Sequence, residues 1–131
     1  MSYQVNATNE VEKNSYFRQV LFTGVKSQLV VMNIPPGGEI GEETHKHVEQ
    51  TLIIHSGRGM VVLDGVKSDL VAGDTVVVTP GTKHNFLNTG ADDLKIITVY
   101  APPNHIDGRV HKTKAEADAD FEDEKFGEAN V

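Results

Sequence analysis

Residues 35–59 read PPGGEIGEETHKHVEQTLIIHSGRG, which crowds glutamates, histidines and a glutamine between a Pro-Pro-Gly-Gly turn and an apolar strand. A second stretch, GDTVVVTPGTKHNFLN at residues 73–88, adds His84 after a tight turn. Side chains alternate between the faces of a strand, so Glu43, His45 and His47 share a face if their segment is extended. Imidazole nitrogens and carboxylate oxygens brought to one point from two separated segments are what a divalent first-row metal needs. Other chemistries are missing. The chain has no cysteine, no nucleotide-binding glycine loop and no nucleophile elbow, which excludes thiol and serine hydrolysis.

The elements that must position these residues are short strands. Residues 16–23 and 28–34 are rich in Val, Leu, Phe and Ile, and Pro35-Pro36-Gly37-Gly38 must turn the chain after them. Residues 50–55 and 60–63 flank Ser56-Gly57-Arg58-Gly59, and Asp64-Gly65 is a strong two-residue hairpin signal. Residues 75–79, 84–87 and 94–100 complete seven or eight strands with no long amphipathic helix. That spacing predicts an all-β fold, an antiparallel sandwich or barrel. Three segments follow: a polar N-terminal arm at 1–15, the barrel at 16–102, and a polar tail at 103–131 with a short helix within 114–125. The tail reads either as solvated chain or as a flap that carries His105 and His111 over the barrel mouth.

A chain of 131 residues makes one domain with a real core. Its net charge of -7 and acidic pI argue against nucleic acid or an anionic membrane as partner. No apolar run approaches the roughly 20 residues that span a bilayer, and residues 1–15 show no secretory signal. With no cysteine to cross-link, a cytoplasmic location is expected.

The two polar stretches resemble the two motifs of the cupin superfamily, the small jelly-roll β-barrels. Gly73, Gly81, His84 and Asn88 fall at the spacing of the second motif, although Thr79 stands where that motif has proline and Pro80 follows it. Counting back from Gly57, the glutamate position of the first motif is held by Gln50. Two registers then compete. Glu43-Thr44-His45 keeps every family spacing but replaces the first histidine with Glu43, whereas His45-Lys46-His47 keeps the histidine pair and leaves two residues before Gln50. The chain must reverse before Gln50, and Val48-Glu49 is a poor two-residue turn. The favoured ligand set is therefore Glu43, His45, Gln50 and His84, with His47 at the loop tip. In this reading Asn88 pins a turn, His55 lies on the outer surface, and Glu39, Glu42 and Glu49 are solvated.

The resemblance implies a jelly-roll barrel that binds a divalent transition metal (iron, manganese, zinc, nickel or cobalt) and a small molecule in the barrel, and that pairs as a homodimer. Fold does not select the reaction. A metal-dependent oxygenase or isomerase acting on a small organic substrate is the first expectation, with His47 and Tyr100 as candidate acid or base and His105 or His111 as further ones. A small-ligand, sugar-like binding barrel without catalysis, or a structural barrel with a degenerate metal site, are the alternatives.

Overall fold

The computed structural model describes residues 1–129. Ten strands run in chain order: β1 (Arg18–Thr23), β2 (Gln28–Ile34), β3 (Glu43–Thr44), β4 (Glu49–Ser56), β5 (Arg58–Leu63), β6 (Val66–Val71), β7 (Thr75–Val78), β8 (Lys83–Asn88), β9 (Leu94–Ala101) and β10 (Val110–His111). They form two antiparallel sheets, ordered β10-β1-β2-β9-β4-β7 and β3-β8-β5-β6, which face each other as a jelly-roll barrel. Alternation decides what each strand contributes. Along β9, Leu94, Ile96, Thr98 and Tyr100 point inward, and along β8 His84, Phe86 and Asn88 do so. Polar residues thus enter the interior in phase with the apolar ones.

The Asp64-Gly65 turn between β5 and β6 has positive φ at both residues (48° and 83°), the backbone that a type I′ hairpin requires. Asn88 is buried at the end of β8, where its amide donates to the carbonyls of Ile34 and Asp92 and its oxygen accepts from Gly90 N–H. That one side chain ties three segments together.

Both ends of the chain are more ordered than their composition predicts. Within the N-terminal arm, α1 (Ala7–Lys13) is capped by Asn6 and packs on β2 and β9 with Val11 fully buried. This covers the outer face of β2, so Val30, Val31, Met32, Asn33 and Ile34 are all buried. A seven-residue helix with one anchor shows no readable period, hence the expectation of a loose arm. His55 meets Glu12 of this helix at 3.1 Å on the outer surface.

The tail is a flap and not solvated chain. β10 pairs with β1, setting His111 opposite Arg18. Helices α2 (Lys114–Ala119) and α3 (Phe121–Ala129) follow. Asp123 of α3 is buried against the loop that carries His105. Gly127 lets α3 approach that loop, since a Cβ there would sit 2.8 Å from the Asn104 carbonyl oxygen.

Gln28 holds the loop from the barrel side. Its amide donates to Thr23 Oγ1 and to the His105 carbonyl, and its oxygen accepts from the N–H groups of Asn104 and His105. Gln28→Ala leaves two N–H groups and a carbonyl buried without partners. Because each orphan costs about 1–3 kcal/mol with partial relaxation, we expect about 2–4 kcal/mol of lost stability. Urea denaturation measures the loss, and hydrogen exchange should quicken at the amides of Asn104 and His105.

Candidate metal centre and ligand cavity

The pairing of β3 with β8 sets Glu43 directly across from His84. His45 follows β3, held by its carbonyl, which accepts from Gly81 N–H at 2.7 Å. One donor atom from each of Glu43, His45 and His84 lies within 4.8 Å of the others. Nε2 of His45 is 3.1 Å from Oε2 of Glu43, and the rings of His45 and His84 stand 5.4 Å apart. Nδ1–H of His84 donates to the Thr82 carbonyl at 2.8 Å, which fixes the tautomer and leaves Nε2 as a bare lone pair. That Nε2 is buried and has no partner. Burial pushes the Glu43 carboxyl up, but the hydrogen bond from His45 and the electrostatic pull of the neighbouring His45, Arg18 and His84 outweigh it. The carboxyl is held below its ordinary range and is ionised at neutral pH. These three residues fit a divalent ion in donor chemistry: two imidazoles, one of them orphaned, and one anionic oxygen.

The remaining expected residues lie around this cluster. His47 is exposed on the bend between β3 and β4. Gln50 lies on β4, in the facing sheet, 3% exposed, with its amide nitrogen donating to Thr98 Oγ1. It makes no hydrogen bond to Glu43, His45 or His84 among the described residues. Tyr100 is buried edge-on to the His105 ring, and burial above all pushes its phenol up to about 12. It is therefore a hydrogen-bond donor throughout the neutral range.

Beside the cluster is a cavity of about 800 Å³, whose wall includes Arg18, Glu43, His45, His47, His105 and Asp123. Arg18 and Asp123 escaped the sequence reading. Arg18 alternates in phase with the buried Val20, and a charge on the inward phase of a strand was the available signal. Asp123 carried none, since it sits in an acidic run. In the structure Nη1 of Arg18 donates to His111 Nδ1 at 3.3 Å, and His111 Nε2–H donates in turn to Asp120 at 2.9 Å. His105 donates from Nδ1 to Asp123 Oδ2 at 2.7 Å, and its buried Nε2 has no partner. Burial and the nearby Arg18 bring His105 down to about 4 against the pull of Asp123. Burial would raise Asp123, but its bonds from His105 and Ile106 N–H keep it low.

An antiparallel barrel that gathers a carboxylate and two imidazoles beside a polar cavity defines a class, the small β-barrel with a candidate metal centre. The chain belongs to the cupin family, whose Cupin domain model matches residues 30–100. It is 42% identical over 121 residues to the uncharacterized protein YrkC of Bacillus subtilis, an alignment that covers 88% of this chain and 65% of YrkC. The crystal structure of BH2720 from Bacillus halodurans superposes with a TM-score of 0.89 at 37% identity, covering 91% of this chain and 95% of that one. A Klebsiella pneumoniae protein with a double-stranded β-helix domain gives a TM-score of 0.68 at 25% identity, over 84% of this chain and 98% of that one. No helix among the described residues is long and apolar enough to cross a membrane.

The buried His105 makes stability depend on pH. Its folded value of about 4 lies below the ordinary value near 6.5, so between these the unfolded chain binds a proton that the folded chain refuses. Stability is therefore lost as pH falls from about 6.5 toward 4, by about 2 kcal/mol on reaching pH 5. Urea unfolding at pH 7.5 and pH 5 should show this loss in the native chain and a flatter response in His105→Gln.

Proposed function

We propose that this chain is a metal-dependent enzyme of the cupin family that holds a divalent first-row ion through Glu43, His45 and His84 and works on a small organic substrate in the adjoining cavity. The observation that carries this reading is His84 Nε2: a buried lone pair, fixed in tautomer by Thr82, close to a second imidazole and an ionised carboxylate. A bound ion would supply Lewis acidity and lower the pKa of a coordinated water. Gln50, held through its amide nitrogen by Thr98, keeps its oxygen as a candidate fourth donor.

The chain's own groups supply the rest. Glu43 brings the only ionised oxygen of the three and at present accepts a hydrogen bond from His45. His105 offers a neutral imidazole whose Nε2 can take a proton, while Asp123 fixes the ring and would stabilise the cation so formed. This makes His105 better placed than the exposed His47 as the general base, and Tyr100 serves as a donor. The helices of the tail wall off part of the cavity from water.

Metal content of the untagged protein tests the reading. His84→Ala and Glu43→Gln should each lower bound metal at least tenfold, as even a partner one step removed from a metal costs 10–100-fold. His47→Ala and His55→Ala should leave it nearly intact. Equal metal in the His84→Ala and His55→Ala proteins would sink the shared centre. Metal lost with His47→Ala but kept with Glu43→Gln would restore the paired-histidine register.

A further inference from the structure

We propose that the cavity is a binding site for a small hydroxy acid, with Arg18 taking the carboxylate and Nε2 of His105 taking the hydroxyl hydrogen. This names the substrate class of the cavity just described and rests on its reading as a ligand site beside a metal centre.

Arg18 is the first ground. Only 6% of it is exposed, yet no carboxylate lies within 4 Å of its guanidinium among the described residues. It donates to the neutral Nδ1 of His111 and hydrogen-bonds the neutral Tyr100 side chain, its guanidinium lies over the Phe17 ring, and its Nε–H is buried without an acceptor. A buried guanidinium with no carboxylate in direct contact is costly, and a planar fork of donors matches a carboxylate. The second ground is His105. Its Nδ1–H is spent on Asp123, so the buried Nε2 is an acceptor that lacks a donor. Both residues line the same cavity. A cationic donor with one buried N–H unpaired and an orphaned neutral acceptor together ask for a ligand with an anionic oxygen and an O–H.

The acidic residues at the rim do not cancel this attraction. Glu42 and Asp118 are exposed and paired with Lys83 and Lys114, and Glu124 and Glu128 are exposed to solvent. Screening weakens such charges, whereas Arg18 acts inside the protein.

The test uses the full untagged chain, nitrogen-15 labelled, loaded with zinc and freed of excess ion. The probes are glycolate, acetate and glycerol, which differ in carboxylate and hydroxyl. Glycolate is expected to shift the Arg18 Nε–H signal and to bind at least tenfold more tightly than glycerol, with acetate between them. Arg18→Gln should reduce glycolate to the level of glycerol. His105→Gln should erase the advantage of glycolate over acetate and leave acetate binding unchanged. Glycerol binding as tightly as glycolate, or glycolate binding that leaves the Arg18 signal unmoved, overturns the proposal. Both are read on the native chain, so a failure of Arg18→Gln to fold does not matter. If the chain takes up no zinc but glycolate still shifts the Arg18 signal, only the metal reading falls; if neither occurs, both fall.

Discussion

A polar group placed inside a barrel must find a partner there, because water cannot reach it. This requirement organises the molecule. The alternation that sends Val20, Val30 and Met32 into the core also sends Arg18 and Gln28 inward. Neither is fully satisfied by the strands that precede the tail. Gln28 is completed by the backbone of Asn104 and His105, and Arg18 by His111, so the tail is drawn back over the barrel by the needs of two strand residues. The flap is then part of the fold. Its own polar side chains are anchored in sequence, His105 through Nδ1 on Asp123 and His111 on Asp120, before the helices reach solvent.

Against that background the orphaned atoms stand out. Three of the buried polar atoms without partners belong to His84, His105 and Arg18, all at or beside the cavity. A fold that makes three hydrogen bonds between Gln28 and one loop does not leave three neighbouring groups bare through poor packing. Unsatisfied groups cost stability, and a cost concentrated at one place is characteristic of a site kept ready for a ligand. Each of the three is also oriented by a bond from its other side: Thr82 for His84, Asp123 for His105, His111 for Arg18. Orientation without satisfaction is what preorganisation means in structural terms.

Much of this was legible in the sequence because strand alternation and turn chemistry are local. The Asp64-Gly65 hairpin, the reversal before Gln50 and the turn pinned by Asn88 could all be read from residue types alone. The placing of Glu43 near His45 and His84 could be argued from the loop length that Gln50 demands. What escaped reading was non-local. The helix at 7–13 exists because the outer face of β2 needs Val11, which no window of the N-terminal segment reveals. Arg18 went unnoticed because only the pairing of β1 with β10 shows what it faces. Asp123 lay hidden in a run of acids whose other members are exposed, since nothing local marks which acid a helix turns inward.

Charge balance inside the cavity links its two proposed occupants. Among the groups of the inner wall, Arg18 contributes +1 and the ionised Glu43 and Asp123 contribute -1 each, a sum of -1 with His105 neutral. An anion meets a slightly repulsive interior in that state, despite Arg18. A divalent ion at Glu43, His45 and His84 changes the sum from -1 to +1, so the metal and an organic anion must favour each other's binding. Coupling of this kind is reciprocal: whatever factor the ion adds to anion affinity, the anion returns to the ion. The neutral amide of Gln50 fits this arrangement. A second carboxylate in its place would return the interior to zero and weaken the pull on the anion, while a neutral donor leaves the positive charge of the ion for the substrate to answer.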